Sequence, residues 1–183
     1  MPRQGMTALN GSKPALKLVQ GAGSQAIEWA WFCGHCASPA PSGQAPAPTA
    51  RVCRSCGLGL LLETRQDVVP TDRDAFLVID TALLIQAMSR RAQTLLAVSE
   101  EEAVNRPVAE LLVPADAEAQ GPAGFAAAIA EAARGAYDPA NVFVRPWNTF
   151  GVRMRARIAS CGPPRAALVV LAAPGDRRLR AVD

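Results

Sequence analysis

Two Cys-x2-Cys pairs within 24 residues, Cys33/Cys36 and Cys53/Cys56, constrain this chain more than any other feature. Sixteen residues separate the pairs, a spacing inside the range of four-thiolate metal sites. Two residues between cysteines let a tight turn aim both sulfurs at one ion about 2.3 Å away, and tetrahedral geometry needs a second such turn opposite the first. The stretch between the turns is free in length, so the Pro- and Ala-rich loop 37–50 is tolerated and is expected to be extended or mobile. Gly34 and Gly57 stand where backbone freedom helps each turn close. We therefore read Cys33, Cys36, Cys53 and Cys56 as a closed structural zinc site without a catalytic role, because four thiolates leave no coordination position open. Disulfides fit poorly in a chain without a secretory signal, and a thioredoxin-type redox site would need one pair beside a βαβ pattern. Iron, in a rubredoxin-like electron carrier, accepts the same four sulfurs and is the rival metal. His35 is the one histidine and lies inside the first turn, where an exposed turn residue is expected.

The 183 residues have room for one medium domain and a small module. The net charge of +3 is uneven: residues 1–65 hold six Lys/Arg against two Asp/Glu, 66–173 ten against twelve, and 174–183 three against two. A surplus of four without a dense cluster, with Arg51, Arg54 and Arg65 the basic residues near the cysteines, keeps nucleic acid a secondary reading. Residues 1–25 lack the apolar core of a signal peptide. The longest clean apolar run, Ala166 to Ala173, has eight residues, far below the roughly 20 that span a bilayer. A cytoplasmic chain with no membrane partner is the expectation, with 1–26 disordered and 174–183 a flexible tail.

Between these ends the pattern is α+β. Glu28 to Cys36 reads as a short strand running into a turn, with Trp29 and Trp31 on one face. Ala75 to Asp80 (AFLVID) and Leu84 to Met88 are strand candidates. Ser89 can cap a helix carrying Ala92, Leu95 and Leu96, and Ser99 to Glu102 (SEEE) has the capping-box form. Asn105, tolerant of a left-handed backbone, stops that second helix before Arg106-Pro107. An Ala-rich helix with Phe125 and Ile129 ends at Gly135, and strands follow at Asn141 to Arg145, Phe150 to Ser160 and Ala166 to Leu171. Strand runs separated by helices predict an antiparallel sheet with helices on one face. Arg153, Arg155 and Arg157 alternate with Met154, Ala156 and Ile158, and are expected on a solvated face opposite acidic cross-strand partners.

The knuckles FCGHC and VCRSCG resemble those of zinc ribbons, over roughly residues 28–63, with the module drawn at 27–65. The segment Phe76 to Leu112 resembles the front half of a PAS domain: Ile79-Asp80 closing a strand, Ala97-Val98-Ser99 closing a helix, then Glu100-Glu101-Glu102 and Asn105-Arg106-Pro107. Asn105 replaces the usual glycine, Ser89 stands where asparagine is common, and the rear half agrees in order and length only; coverage is about 70–173. The two resemblances imply a PAS-like five-stranded antiparallel sheet with helices on one face, preceded by a small zinc-ribbon β module. PAS domains are sensory and dimerising, and the resemblance implies a regulatory protein, not an enzyme, with a protein partner in trans or a homodimer. No flavin is expected, because no cysteine lies between Cys56 and Cys161, and no haem, because this region has no histidine. Tyr137, Phe143, Arg145 and Trp147 are the candidate small-ligand residues.

Overall fold

All five side chains of the strand AFLVI are buried, and this double burial organises the molecule. An antiparallel sheet with one wet face would bury alternate residues only. A computed structural model describes residues 27–40, 45–115 and 123–172; the expected disordered N-terminus and C-terminal tail, and residues 41–44 of the Pro-rich loop, lie outside these.

The described chain forms β1 (Trp29–Cys33), β2 (Leu61–Arg65), β3 (Ala75–Ile79), β4 (Ile85–Met88), α1 (Arg90–Leu96), α2 (Glu100–Ala103), β5 (Leu112–Pro114), α3 (Ala123–Ala133), β6 (Ala140–Pro146), β7 (Met154–Gly162) and β8 (Ala166–Ala172). They make one antiparallel sheet in the order β1-β2-β7-β8-β3-β4, with β6 also on β7 and β5 on β6. Among the described residues no helix is long and apolar enough to cross a membrane.

One face of the sheet packs on the helices. Leu77 and Ile79 meet Ile85, Met88, Leu96, Phe125 and Ile129 there, with Met154 and Ile158 of β7. The other face carries Phe76, Val78, Ala159 and Leu168, and it is covered by Phe32 and Leu62 of the β1–β2 hairpin and by Val68 of the following strap. The rings of Phe32 and Phe76 meet edge to face, centroids 6.1 Å apart, a favoured aromatic geometry.

Local chemistry sets the joints. Ser89 caps α1, its Oγ accepting from the Ala92 N–H at 3.2 Å and from the Phe76 N–H at 3.0 Å, while it donates to the Asp74 carbonyl. Ser99 and Glu102 form the expected capping box at α2, and Asn105 takes φ +65°. Asp80 closes the β3–β4 turn: its carboxylate accepts from the N–H groups of Ala82 and Leu84 and from the Gln86 amide.

The sheet departs from the expected five strands plus a separate module. Short β5 joins it, and the cysteine hairpin is part of it, because β2 pairs with β7 at Glu63↔Gly162 and Thr64↔Cys161. β7 is long enough to hold β6 along residues 154–158 and β2 beyond them. Where one partner gives way to the other, the fully buried Thr64 donates its hydroxyl to the Ser160 carbonyl at 2.8 Å, which satisfies an acceptor that would otherwise be stranded. β7 also starts four residues later than the alternation suggested, because Gly151 turns the chain at φ +76°.

Phe32 is fully buried beneath the hairpin. Phe32→Ala is expected to lower the unfolding free energy by about 3–5 kcal/mol, whereas the exposed Leu58→Ala should change it by less than about 0.5 kcal/mol. Urea unfolding of both variants checks this; a loss below about 1 kcal/mol for the first would mean that the hairpin is not core.

Candidate metal centre

The hairpin ends in two similar turns. In each, the N–H four residues on donates back to the first cysteine's carbonyl, Ala37 to Cys33 at 3.0 Å and Gly57 to Cys53 at 2.9 Å. Both donors have positive φ, +62° at Ala37 and +71° at Gly57, and glycine holds that region without strain. The two turns face each other and bring all four sulfurs within 4.8 Å of one another.

Cys33 Sγ lies 3.7 Å from Cys56 Sγ, and Cys36 Sγ 3.8 Å from Cys53 Sγ. A tetrahedron of sulfurs about 2.3 Å from an ion has edges of about 3.8 Å, and a disulfide would need about 2.05 Å. The four thiols therefore fit one metal ion. Backbone N–H groups point at them, from His35 to Cys33 at 3.4 Å and from Gly59 to Cys56 at 3.5 Å. Burial raises the Cys33 thiol far above its ordinary range. At Cys56 burial works in the same direction, but the N–H groups of Gly59 and Leu58 and the neighbouring Cys36 and Cys33 thiols overcome it and hold the thiol at about 6. Cys161 stands apart in β7, where burial pushes its thiol up to about 12.

Two residues essential to this arrangement went unmarked in the sequence. Gly59 runs so close beneath the first turn that a Cβ would overlap Cys33 Sγ and come 2.7 Å from His35 Cβ. The signal was the second glycine of Cys56-Gly57-Leu58-Gly59. Glu100 accepts from the Met88 N–H at 2.9 Å and meets His35 Nδ1 at 2.7 Å. His35 is thus half-buried and tied to α2 instead of being an exposed turn residue. Within SEEE the capping box uses Glu102, which leaves Glu100 free to reach the turn. Arg51 adds a second tie, donating to the Pro163 carbonyl in the β7–β8 turn at 3.2 Å.

A cleft of about 890 Å³ runs beside the centre, between the hairpin and the outer face of β3 and β4. Leu60, Leu62, Val78 and Ala87 line its apolar part, and Asp80 and Glu100 its polar rim. The four candidate ligand residues lie elsewhere. Phe143 and Arg145 alternate with the buried Val142 and Val144, on the face of β6 away from the helices. Tyr137 and Trp147 are exposed, before and after that strand.

No family model matches the chain, and no curated protein does. Among solved structures, the PAS domain of nitrogen regulation protein NR(II) from Vibrio parahaemolyticus aligns at TM-score 0.37 and 14% identity, over 55% of this chain and 89% of that one. A PAS domain of a Colwellia psychrerythraea protein aligns at TM-score 0.37 and 21% identity, over 57% and 88%. A chain of the E. coli DhaR(N)–DhaL complex aligns at TM-score 0.37 and 15% identity, over 56% and 32%. Likenesses of this size assign no function.

Gly59→Ala is expected to abolish stoichiometric metal binding, while Gly57→Ala, whose Cβ would meet nothing within 4 Å, should retain most of it. Elemental analysis of the two purified variants checks this.

Proposed function

We propose that the chain is a non-enzymatic regulatory protein. In this reading a PAS-type sheet receives a partner protein or small ligand, and a structural zinc ribbon fixed to its outer face helps present the docking surface. The observation that carries it is the cleft, which is built jointly by the metal-clamped hairpin and the sheet, so that occupancy of one bears on the other. Leu58 and Leu60 stand exposed at its edge, Leu58 at 74%, and exposed apolar side chains gathered beside a cleft mark contact sites.

Support for the PAS-type reading is the strand, strand, helices, three-strand order and the Asp80, Ser99–Glu102 and Asn105 joints. The two short sulfur–sulfur distances fit a tetrahedral tetrathiolate site, and zinc is favoured over iron because a closed four-thiolate set is the common structural-zinc arrangement. A closed tetrathiolate also leaves no site for substrate, which favours a structural role. The occupant in this reading is a protein in trans, with a second copy of the chain as the homodimeric form. The residues Tyr137, Phe143, Arg145 and Trp147 remain a second candidate surface.

Native mass spectrometry of the purified protein, beside Leu58→Ser/Leu60→Ser, tests the reading. One zinc per chain, with a retained second chain or bound molecule that the variant loses, is the expected result. Colourless protein with zinc but no associated species in either form would leave the clamp and remove the docking role. Coloured protein with one iron per chain would establish the electron carrier instead.

A further inference from the structure

Arg155 and Arg157, on the outer face of β7, stand opposite no acidic residue in the sheet register. Arg155 faces Phe143 and Ala172 across the sheet, and Arg157 faces Asn141 and Val170. Arg153 and Arg145 flank the last β6–β7 pair, Val144↔Met154, on the same side. Among the described residues no ion pair holds Arg145, Arg155 or Arg157. Like charges that follow one another on one strand face repel, and the sheet register sets no acid opposite Arg155 or Arg157.

What it has instead is pre-organisation around aromatic faces. The Arg153 guanidinium lies 3.8 Å over the Phe143 ring, and that of Arg145 lies 4.7 Å over Phe150. Arg155 Nε donates to the Asn141 side-chain oxygen at 3.1 Å. Arg145 also donates to the carbonyls of Trp147 at 3.1 Å and Pro146 at 3.2 Å. Guanidinium groups held in this way lose less freedom when they meet an anion. Arg155 and Arg157 stand two residues apart, about 6.8 Å along the strand, a step suited to successive phosphates of an extended chain. At the end of the row Phe150 is 82% and Trp147 62% exposed, each able to stack on a base.

We propose that this arginine–aromatic face of β6 and β7 binds a single polynucleotide strand, by phosphate contacts from Arg155 and Arg157 and by base stacking on Trp147 and Phe150. An acidic protein segment would answer the charge but would leave the aromatic row unused, whereas a single strand uses both. The site lies away from the cysteine turns and from the cleft, so it stands or falls independently of the docking function proposed above.

Fluorescence anisotropy with a labelled 15-mer of thymidine and the full chain tests it, from about 50 to 200 mM salt. Arg155→Ala/Arg157→Ala should weaken binding at least tenfold at the lowest salt. It should also reduce the log–log salt slope by roughly 1.4, at about 0.7 per phosphate contact on a single strand. Trp147→Ala/Phe150→Ala should weaken binding with the slope unchanged. Arg177→Ala/Arg178→Ala/Arg180→Ala and Arg51→Ala/Arg54→Ala, outside the face, should leave most of the affinity. Retained metal stoichiometry in each variant verifies folding. Absence of binding at the lowest salt would overturn the proposal. So would equal affinity for a duplex, preference for a Glu-rich peptide, or loss confined to the tail or Arg51/Arg54 variants.

Discussion

The contact of Phe32 and Leu62 with Phe76, Val78 and Leu168 is the interaction on which the rest of the structure depends. It buries the second face of β3 and so turns a half-wet sheet into the middle layer of a three-layer body. The cysteine centre lies just beyond it, around a small cluster of Trp31, Cys33, Cys53 and Leu61. An ion drawing the four thiolates together would fix the far end of the hairpin, which presses Phe32 onto the sheet. Cysteine centre, hairpin and sheet therefore share one packing problem. Because a site absent from the unfolded chain contributes its binding energy to folding, metal held there would support more of the molecule than the four cysteines alone suggest.

The polar ties follow the same logic. Glu100 serves the β4 edge through the Met88 N–H and the first cysteine turn through His35. Arg51 joins the second cysteine turn to the β7–β8 turn, and Thr64 closes the seam where β2 takes over from β6. Each spans a boundary between the hairpin and the sheet. A displacement at the centre would have to break them together, the kind of contiguous contact through which coupling between sites is carried.

What was legible in the sequence was local. The Cys-x2-Cys spacing, the SEEE box, the Ser89 cap and the turn at Asn105 are each written in neighbouring residues, and the structure keeps them. The continuous apolar run AFLVI marked a strand, but not that both of its faces would be covered. That cover comes from Phe32, far back in the chain, with Leu62 and Val68, and pairing such as Thr64↔Cys161 leaves no periodic trace. The same limit hid His35–Glu100. Alternation did reveal the arginines of β7, but not their neighbours, since cross-strand register decides whether an acid or a phenylalanine stands opposite. The start of β7 was misplaced because Gly151 interrupts the extended backbone where the residue types alone allow it to run on.

The central claim is that the cysteine-clamped hairpin belongs to the sheet's core and is not an appended module. Hydrogen exchange of the backbone amides, before and after metal removal by a chelator, tests it most directly. Protection should fall at Phe76, Val78 and Leu168 together with β1 and β2. Loss confined to residues 29–65, with β3 and β8 unchanged, would contradict it.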